Sequence, residues 1–161
     1  MSSIRPKQAC PKQGLKKKAK NYKGMNEAKA SKREDRLWHY FSQFIRLRDC
    51  IDGTPAFARC ISCGKPQYYK EMDAGHYVSR RWKPTKYDER NVHAQCVHCN
   101  RDLSGNVDEY AKAIGGDLAS ELKELSRQPA KKMLLWEIES KIAEYRQKAK
   151  DEAYRIGVEI K

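Results

Sequence analysis

The sequence predicts an α+β protein with a small zinc-stapled core, meaning a core held together by a zinc site, flanked by N-terminal and C-terminal helices. Two Cys-x2-Cys pairs bracket the middle of the chain, at Cys60–Cys63 and Cys96–Cys99. Aromatic and β-prone residues lie between the pairs, and helical periodicity lies outside them. Only 39% of the residues are hydrophobic, so the apolar core is modest and fits a fold that a metal helps to hold together.

Residues 1–25 are predicted to form a flexible basic arm. Residues 1–24 contain eight Lys or Arg and no acid, and Pro6, Pro11 and Gly14 interrupt any periodic pattern. The run Lys16-Lys17-Lys18 is expected to add salt-sensitive, sequence-independent affinity for phosphates. A localisation signal or a solubilising tail explains the same composition.

Residues 26–50 are predicted to contain the N-terminal helix, from about Asn26 to Arg48. Its apolar residues recur three and four apart, which is typical of a helix that covers a core; they are Leu37, Tyr40, Phe41, Phe44, Ile45 and Leu47.

The central unit, residues 51–114, begins with a turn at 52–55 and contains both cysteine pairs. The segment 67–79 predicts a short hairpin or paired strands, and residues 80–90 predict a polar loop. A helix is expected from near Cys99 to about Ile114, where Gly115 and Gly116 stop it.

Residues 115–161 are predicted to form a C-terminal helical region, with Asp117 or Ser120 as a cap and Pro129 in the first turn of the last helix. In that helix a seam of apolar residues recurs three and four apart: Leu135, Ile138, Ile142, Tyr145 and Ala149. The seam is expected to pack on the chain's own helices, although it would also permit a homodimer.

The four paired cysteines predict a structural zinc site. Two Cys-x2-Cys pairs supply four thiolates, which satisfy tetrahedral Zn²⁺ and leave no open coordination position. The remaining two cysteines, Cys10 and Cys50, are expected to be bystander thiols.

The net charge of +13 predicts a polyanionic partner. Residues 1–35 carry +8 and residues 59–101 carry +5, whereas residues 102–161 carry −1, so the positive charge is concentrated on the arm and the cysteine-bearing segment. Charge alone does not separate DNA from RNA or from an anionic membrane. The sequence has no apolar run long enough to cross a membrane and no secretory signal, so a cytoplasmic protein is expected.

The segment between and after the cysteine pairs contains residue types suited to phosphodiester hydrolysis. His76 is a candidate base for activating water near neutral pH, and Asp73 and Asn100 offer oxygen ligands for a divalent metal. His93 and His98 are expected to be bystanders or to support neighbouring residues of the site.

Several of these segments resemble the NinG (Rap) family of lambdoid phages: Cys60-Ile-Ser-Cys63-Gly64, Met72-Asp73-Ala-Gly-His76-Tyr77, Glu89-Arg90-Asn91-Val92-His93, Gln95-Cys96-Val-His-Cys99-Asn100 and Ser104-Gly105-Asn106. The similarity spans about residues 36–156. It implies an HNH-like, or ββα-metal, nuclease core that cuts branched DNA such as Holliday junctions and D-loops in phage recombination. The family can carry an additional N-terminal cysteine finger, whereas this chain has only Cys10 there, so no second zinc is expected.

The resemblance implies that His76 is the general base, that Asn91 orders the loop and orients this histidine, and that Asn100 is a ligand of a catalytic Mg²⁺ or Mn²⁺. Asp73 is the matching carboxylate ligand, with Asp102 as its rival. HNH enzymes usually place the acid directly before the base, but Gly75 occupies that position here. A β-bulge at Gly75 is therefore expected to bring Asp73 and His76 to a common site.

The leading functional expectation is a metal-dependent, structure-selective DNA endonuclease, with Arg80, Arg81 and Arg90 as phosphate contacts. It would act with phage recombination proteins in the host cytoplasm. The alternative is a non-catalytic zinc module that binds DNA or RNA as an accessory protein.

Overall fold

The structure is a computed structural model that describes the backbone of residues 12–160 and the side chains of residues 30–160. It confirms the α+β class: four helices and four short strands follow one another along the chain. The elements are α1 (Lys12–Arg48), β1 (Phe57–Arg59), β2 (Pro66–Tyr68), β3 (Met72–His76), β4 (Val92–Cys96), α2 (Val107–Ile114), α3 (Gly116–Ser126) and α4 (Leu135–Arg155). No helix among these residues is long and apolar enough to cross a membrane.

The main apolar core lies where α1 packs against α4. Phe41 is fully buried, and its ring meets the ring of Tyr145 edge-on with 4.8 Å between the centroids. The seam of α4 faces this core, as Ile138, Ile142 and Ala149 are buried, whereas Leu135 is exposed. The seam is thus covered by the chain's own N-terminal helix, as expected.

The N-terminal boundary of α1 was wrongly predicted, because the helix begins at Lys12 rather than near Asn26. Residues 12–25 are therefore helical rather than a flexible arm, while residues 1–11 lie outside the described part of the chain. Pro11 precedes the first helical residue, where proline is tolerated, and Lys and Ala in the following turns are good helix formers. An apolar stripe is missing there, so periodicity gives no signal.

The four strands form two separate antiparallel pairs. β1 pairs with β2, and β3 pairs with β4, from Met72 opposite Cys96 to His76 opposite Val92. The expected hairpin within 67–79 is wrong, because β2 and β3 each pair with a partner outside that segment. The bulge expected at Gly75 is absent as well, since every residue of β3 has one partner in β4.

The helix expected from Cys99 to Ile114 is interrupted. One helical turn spans His98–Asp102, and three residues with positive φ then break the helix before α2: Ser104 (50°), Gly105 (95°) and Asn106 (42°). Gly115 ends α2 with a φ of 87°, as expected, but α3 begins at once without a side-chain cap from Asp117 or Ser120. Pro129 lies before α4 rather than in its first turn.

Candidate functional site

The four paired cysteines converge into one cluster. The sulfur atoms of Cys60, Cys63, Cys96 and Cys99 all lie within 4.8 Å of one another, and only Cys63 is exposed. Within the described residues this is the one cluster of three or more His, Cys, Asp or Glu side chains that could hold a metal. Four thiolates in a mainly buried site fit a structural metal such as zinc.

The backbone around the cluster favours a thiolate at Cys60. Gly64, with a φ of 73°, closes the first turn by donating its N–H to the Cys60 carbonyl at 2.8 Å. Burial raises the pKa of Cys60, but N–H groups of the two Cys-x2-Cys turns outweigh it and bring the value to about 7. Asn106 Nδ2 lies 3.7 Å from the Cys99 sulfur, a further donor outside the cluster.

A polar cleft of about 590 Å³ lies beside the cysteine cluster, along the side of β3 that has no neighbouring strand. It contains the predicted residues Asp73, His76, Arg80 and Asn100, together with residues of α1. Asp73 and His76 are three apart on a regular strand and so point to opposite faces. Both reach the cleft because β3 is an edge strand, and no bulge is needed.

His76 is held in a half-buried position at one end of the cleft. Its ring stacks on Trp38 of α1, with 5.2 Å between the ring centroids, and its Nε2 lies 3.0 Å from the Lys86 carbonyl oxygen. A carbonyl only accepts, so in the neutral ring Nε2 carries the proton and Nδ1 keeps the lone pair. Burial lowers the pKa of His76, and the positive charges of Arg80 and Lys86 act in the same direction.

Asp73 forms the anionic part of the cleft. Arg101 donates to both of its carboxylate oxygens at 2.8 Å, and Asn100 Nδ2 donates to one of them at 2.9 Å. Burial raises the pKa of Asp73, but these hydrogen bonds and the charges of Arg101 and Arg46 outweigh it, so the net shift is downward. The carboxylate therefore stays ionised and already attracts a cationic group.

The donor set at Asp73 suits a hard divalent cation. It offers two carboxylate oxygens and, from Asn100, an amide oxygen that accepts no hydrogen bond from the described residues. The guanidinium of Arg101 lies against this carboxylate where a cation would bind. Asp102, the rival carboxylate, is exposed and paired with His98, and it does not line the cleft.

Asn91 organises the loop between β3 and β4. Its fully buried amide accepts from the Val78 N–H at 2.7 Å and donates to the carbonyls of Val78 and Thr85 at 2.9 and 3.0 Å. It forms no hydrogen bond with the His76 ring. It acts on that ring through the loop, which positions the Lys86 carbonyl.

The predicted basic contacts lie in different surroundings. Arg80 is exposed and lines the cleft, and Arg81 is exposed beside it. Arg90 is bound to Asp88 and Glu121, so its guanidinium is already engaged. The residues Lys16, Lys17 and Lys18 lie in the helical backbone of α1, but their side chains are outside the described set.

Trp38, Arg46 and Arg101 also line the cleft, although no sequence motif marked them as site residues. Arg46 of α1 lines it and donates to the Met72 carbonyl at 3.3 Å. Trp38 and Arg46 are eight residues apart on one helix and so lie close to one face, but only the tertiary fold shows that this face meets β3. Arg101 directly follows Asn100 in the sequence, and its position next to a predicted site residue could have marked it as a residue of the cleft.

These features define a class: an α+β protein with a four-cysteine cluster that could hold a metal and a basic cleft that contains histidine, aspartate and asparagine. The family profile described as "Bacteriophage Lambda NinG protein" matches residues 4–154. The chain therefore belongs to the NinG family, and the family resemblance drawn from the motifs is confirmed.

Phage proteins named ninG are similar to this chain. The protein of Escherichia phage lambda is 36% identical over 113 residues, which cover 67% of this chain and 51% of the lambda protein. The protein of Salmonella phage P22 is 37% identical over 113 residues, with 67% and 51% covered. The aligned part thus spans about half the length of these relatives. No solved structure matches the chain.

Proposed function

We propose that this protein is a metal-dependent, structure-selective DNA endonuclease of the HNH type that acts on branched recombination intermediates. The observation that carries the proposal is the shared cleft, where His76 lies with Asp73 and Asn100 between arginines of α1, the β3–β4 loop and the turn after Cys99. The order of β3, β4 and the following helical turn agrees with a ββα core.

The chemistry follows from the ionisation of the two side chains. His76 is neutral near pH 7 because its pKa is lowered, so its Nδ1 can accept a proton from water that attacks the phosphorus. The ring is oriented by Trp38 and by the Lys86 carbonyl, which fix both its plane and its tautomer.

Asp73 and Asn100 would hold Mg²⁺ or Mn²⁺, and the bound metal would neutralise phosphate charge and stabilise the leaving 3′-oxygen. The Arg101 guanidinium would have to leave the Asp73 carboxylate for this to happen. Released, it can bind a phosphate oxygen together with Arg46 and Arg80, which line the same cleft. The zinc site would take no part in the reaction.

DNA is the partner that best fits the charge, and phage recombination proteins are proposed partners by family. We place the activity in the cytoplasm of the bacterial host, where phage DNA recombines.

One observation favours the second candidate, a non-catalytic zinc-containing nucleic-acid-binding accessory protein. Asp73 is already satisfied by Arg101 and Asn100, an arrangement that a purely structural ion pair would also show.

A cleavage assay separates the two candidates. A labelled four-way junction and a matched linear duplex are incubated with Mg²⁺, Mn²⁺ or EDTA. We expect cutting that requires the metal, and we expect His76→Ala to lose about 10²–10⁴-fold in rate while still binding the junction. His76→Gln, which keeps a polar side chain in the half-buried position, should be equally slow.

His98→Ala is the matched control, because His98 is exposed, bound to Asp102 and absent from the cleft. It should cut at the wild-type rate. Wild-type cutting by the His76 variants would refute the assignment of the base. Junction binding without cutting in any metal would establish the accessory protein instead.

A further inference from the structure

The loop between β3 and β4 presents one large exposed aromatic side chain on a fixed backbone. Trp82 keeps 52% of its surface exposed. The backbone N–H of Trp82 donates to the Ser79 carbonyl at 3.0 Å, and the backbone carbonyl of Trp82 accepts from the Thr85 N–H at 3.2 Å. Thr85 is fully buried and is held in turn by Asn91. An indole exposed on so well-anchored a turn is available for a planar partner.

The loop separates two clefts. Arg80 lines the candidate catalytic cleft, and Lys83 lines a second cleft of about 350 Å³ formed with α1 and the segment before α4. Trp82 lies between these two residues in the chain. Both clefts border α1, through Trp38 in the first and Glu34 in the second, one helical turn apart.

The second cleft is basic. Five lysines line it against two carboxylates, Glu34 and Asp88. Both carboxylates are already paired, Glu34 with Lys86 and Asp88 with Arg90. Within residues 30–160, Lys83, Lys131, Lys132 and Lys141 form no ion pair, so four positive charges remain for an anionic partner.

We propose that Trp82 is a wedge that stacks on an unpaired base at a DNA branch point. We further propose that the second cleft, called the lysine cleft below, binds the backbone of a second duplex arm. This inference rests on branched DNA as the ligand in the proposed function, and it assigns the selectivity for branches to this loop. A linear duplex in the catalytic cleft offers neither an unstacked base nor a second arm.

Stacking and phosphate contacts make different contributions to such a complex. Stacking on an aromatic ring requires an exposed base face, so it strengthens binding to branched DNA only. The lysine cleft adds counterion release, and each phosphate contact steepens the salt dependence of the binding constant by about 0.9 on a log–log scale. Both effects are measurable without cleavage.

The test uses binding of the full chain in EDTA to a four-way junction and to a matched linear duplex. 2-Aminopurine is placed at the branch point, because stacking on an indole changes its fluorescence. We expect Trp82→Ala to weaken junction binding about tenfold, to leave duplex binding unchanged and to abolish the fluorescence change. Trp82→Phe should retain most of the selectivity, since it keeps an aromatic face.

The lysine cleft is tested by Lys131→Ala/Lys132→Ala, which should lower the salt slope for the junction by about 1.8 and leave the slope for the duplex unchanged. Two controls match these variants. Tyr154→Ala removes the 90% exposed aromatic side chain near the end of α4, and Arg146→Ala/Lys150→Ala removes two exposed charges from α4. Both controls should bind like wild type.

The inference is overturned if Trp82→Ala keeps the wild-type ratio of junction to duplex binding, or if the lysine variant weakens both ligands equally. Either result would leave the proposed nuclease untouched, since cleavage is measured separately. If wild type discriminates the junction through Trp82 but cuts under no metal, the inference stands and the nuclease proposal fails.

Discussion

The ring of His76 has three distinct neighbours, and each one affects its charge. Trp38 stacks on its face, the Lys86 carbonyl accepts from Nε2, and Arg80 adds positive charge nearby. Burial by these neighbours disfavours the imidazolium, and the charges of Arg80 and Lys86 disfavour it further. The Lys86 carbonyl acts in the opposite direction but does not reverse the shift. At this scale the structure favours a neutral base.

The lowered pKa of His76 predicts the acid limb of the pH–rate profile. Only the neutral ring accepts a proton, so activity should persist through pH 6.5, the ordinary histidine value, and fall only below it. The measurement is the single-turnover rate of junction cleavage at saturating DNA, from about pH 5 to about pH 8.

Arginine variants test the cause of that shift. Arg80→Ala removes a positive charge that lowers the pKa of His76, so its acid limb should move toward 6.5. Arg81→Ala is the control, because Arg81 is the next exposed arginine but is not among the groups that shift His76. This account would be contradicted if the acid limb of the wild-type pH–rate profile had its midpoint above pH 6.5. It would also be contradicted if wild type and Arg80→Ala had the same midpoint.

At the scale of elements, the β3–β4 pair depends on a close approach between Gly75 and Gln95. Gln95 is fully buried, and its Nε2 donates to Ser62 Oγ at 2.7 Å and to the Gly105 carbonyl at 2.6 Å. A Cβ on Gly75 would lie 2.1 Å from Gln95 Oε1 and 3.0 Å from Gln95 Cβ. Because Gln95 is held at its far end, it cannot swing away at little cost.

Gly75→Ala is therefore expected to destabilise the protein by about 1–3 kcal/mol, the usual cost of overpacking. For a chain of this size the melting temperature should fall by roughly 2–12 °C. Gly116→Ala is the control: an added Cβ there meets nothing within 4 Å, and Gly116 is the first residue of α3. Its stability should be unchanged or slightly raised. Equal melting temperatures for the two variants would show that Gln95 gives way.

The sequence predicted elements whose signal is local and missed those set by distant partners. The Cys-x2-Cys spacing and the apolar stripes of α1 and α4 lie within a few residues, so zinc-type ligands and both helices could be located. The first half of α1 lacks an apolar stripe, and a helix there rests on propensity alone. Strand-prone residues in 67–79 were evident, but their partners lie outside that segment: β2 pairs with β1 across the first Cys-x2-Cys turn, and β3 pairs with β4 beyond the intervening loop.

The candidate site divides in the same way. His76, Asp73, Asn91 and Asn100 could be named from residue types and spacing, and the structure brings all but Asn91 to the cleft. The bulge is not needed, because residues three apart on a strand point to opposite faces just as adjacent residues do. Asp73 and His76 therefore have the same relation of faces as an acid placed directly before the base. Trp38 and Arg46 entered only when α1 was seen to pack along β3.

At the scale of the whole molecule, the cleft lies where two apolar clusters meet. The larger cluster joins α1, the strands and α4, and the smaller one joins Tyr77 and Val78 to α2 and α3. The cysteine cluster connects the end of β1 to the end of β4, and Asn100 directly follows Cys99. A metal there would fix Asn100 relative to Asp73, whereas the contact of α1 with α4 does not involve it.

Loss of the structural metal should therefore abolish the cleft but spare the helix pair. Cys63→Ser is expected to lose bound zinc, to lower stability by about 4 kcal/mol and to lower the melting temperature by roughly 8–16 °C. Junction cleavage should be lost, while most of the far-UV helical signal remains because α1 and α4 pack through side chains such as Phe41 and Tyr145. The measurements are zinc content by mass spectrometry, thermal melting and circular dichroism.

Cys50→Ser is the matched control. Cys50 is buried, and burial raises the pKa of its thiol to about 11. The thiol donates to the Arg46 carbonyl and does not join the cluster. This variant should keep one zinc per chain and most of its activity. Full zinc content and wild-type melting in Cys63→Ser would show that the four cysteines do not form a metal site.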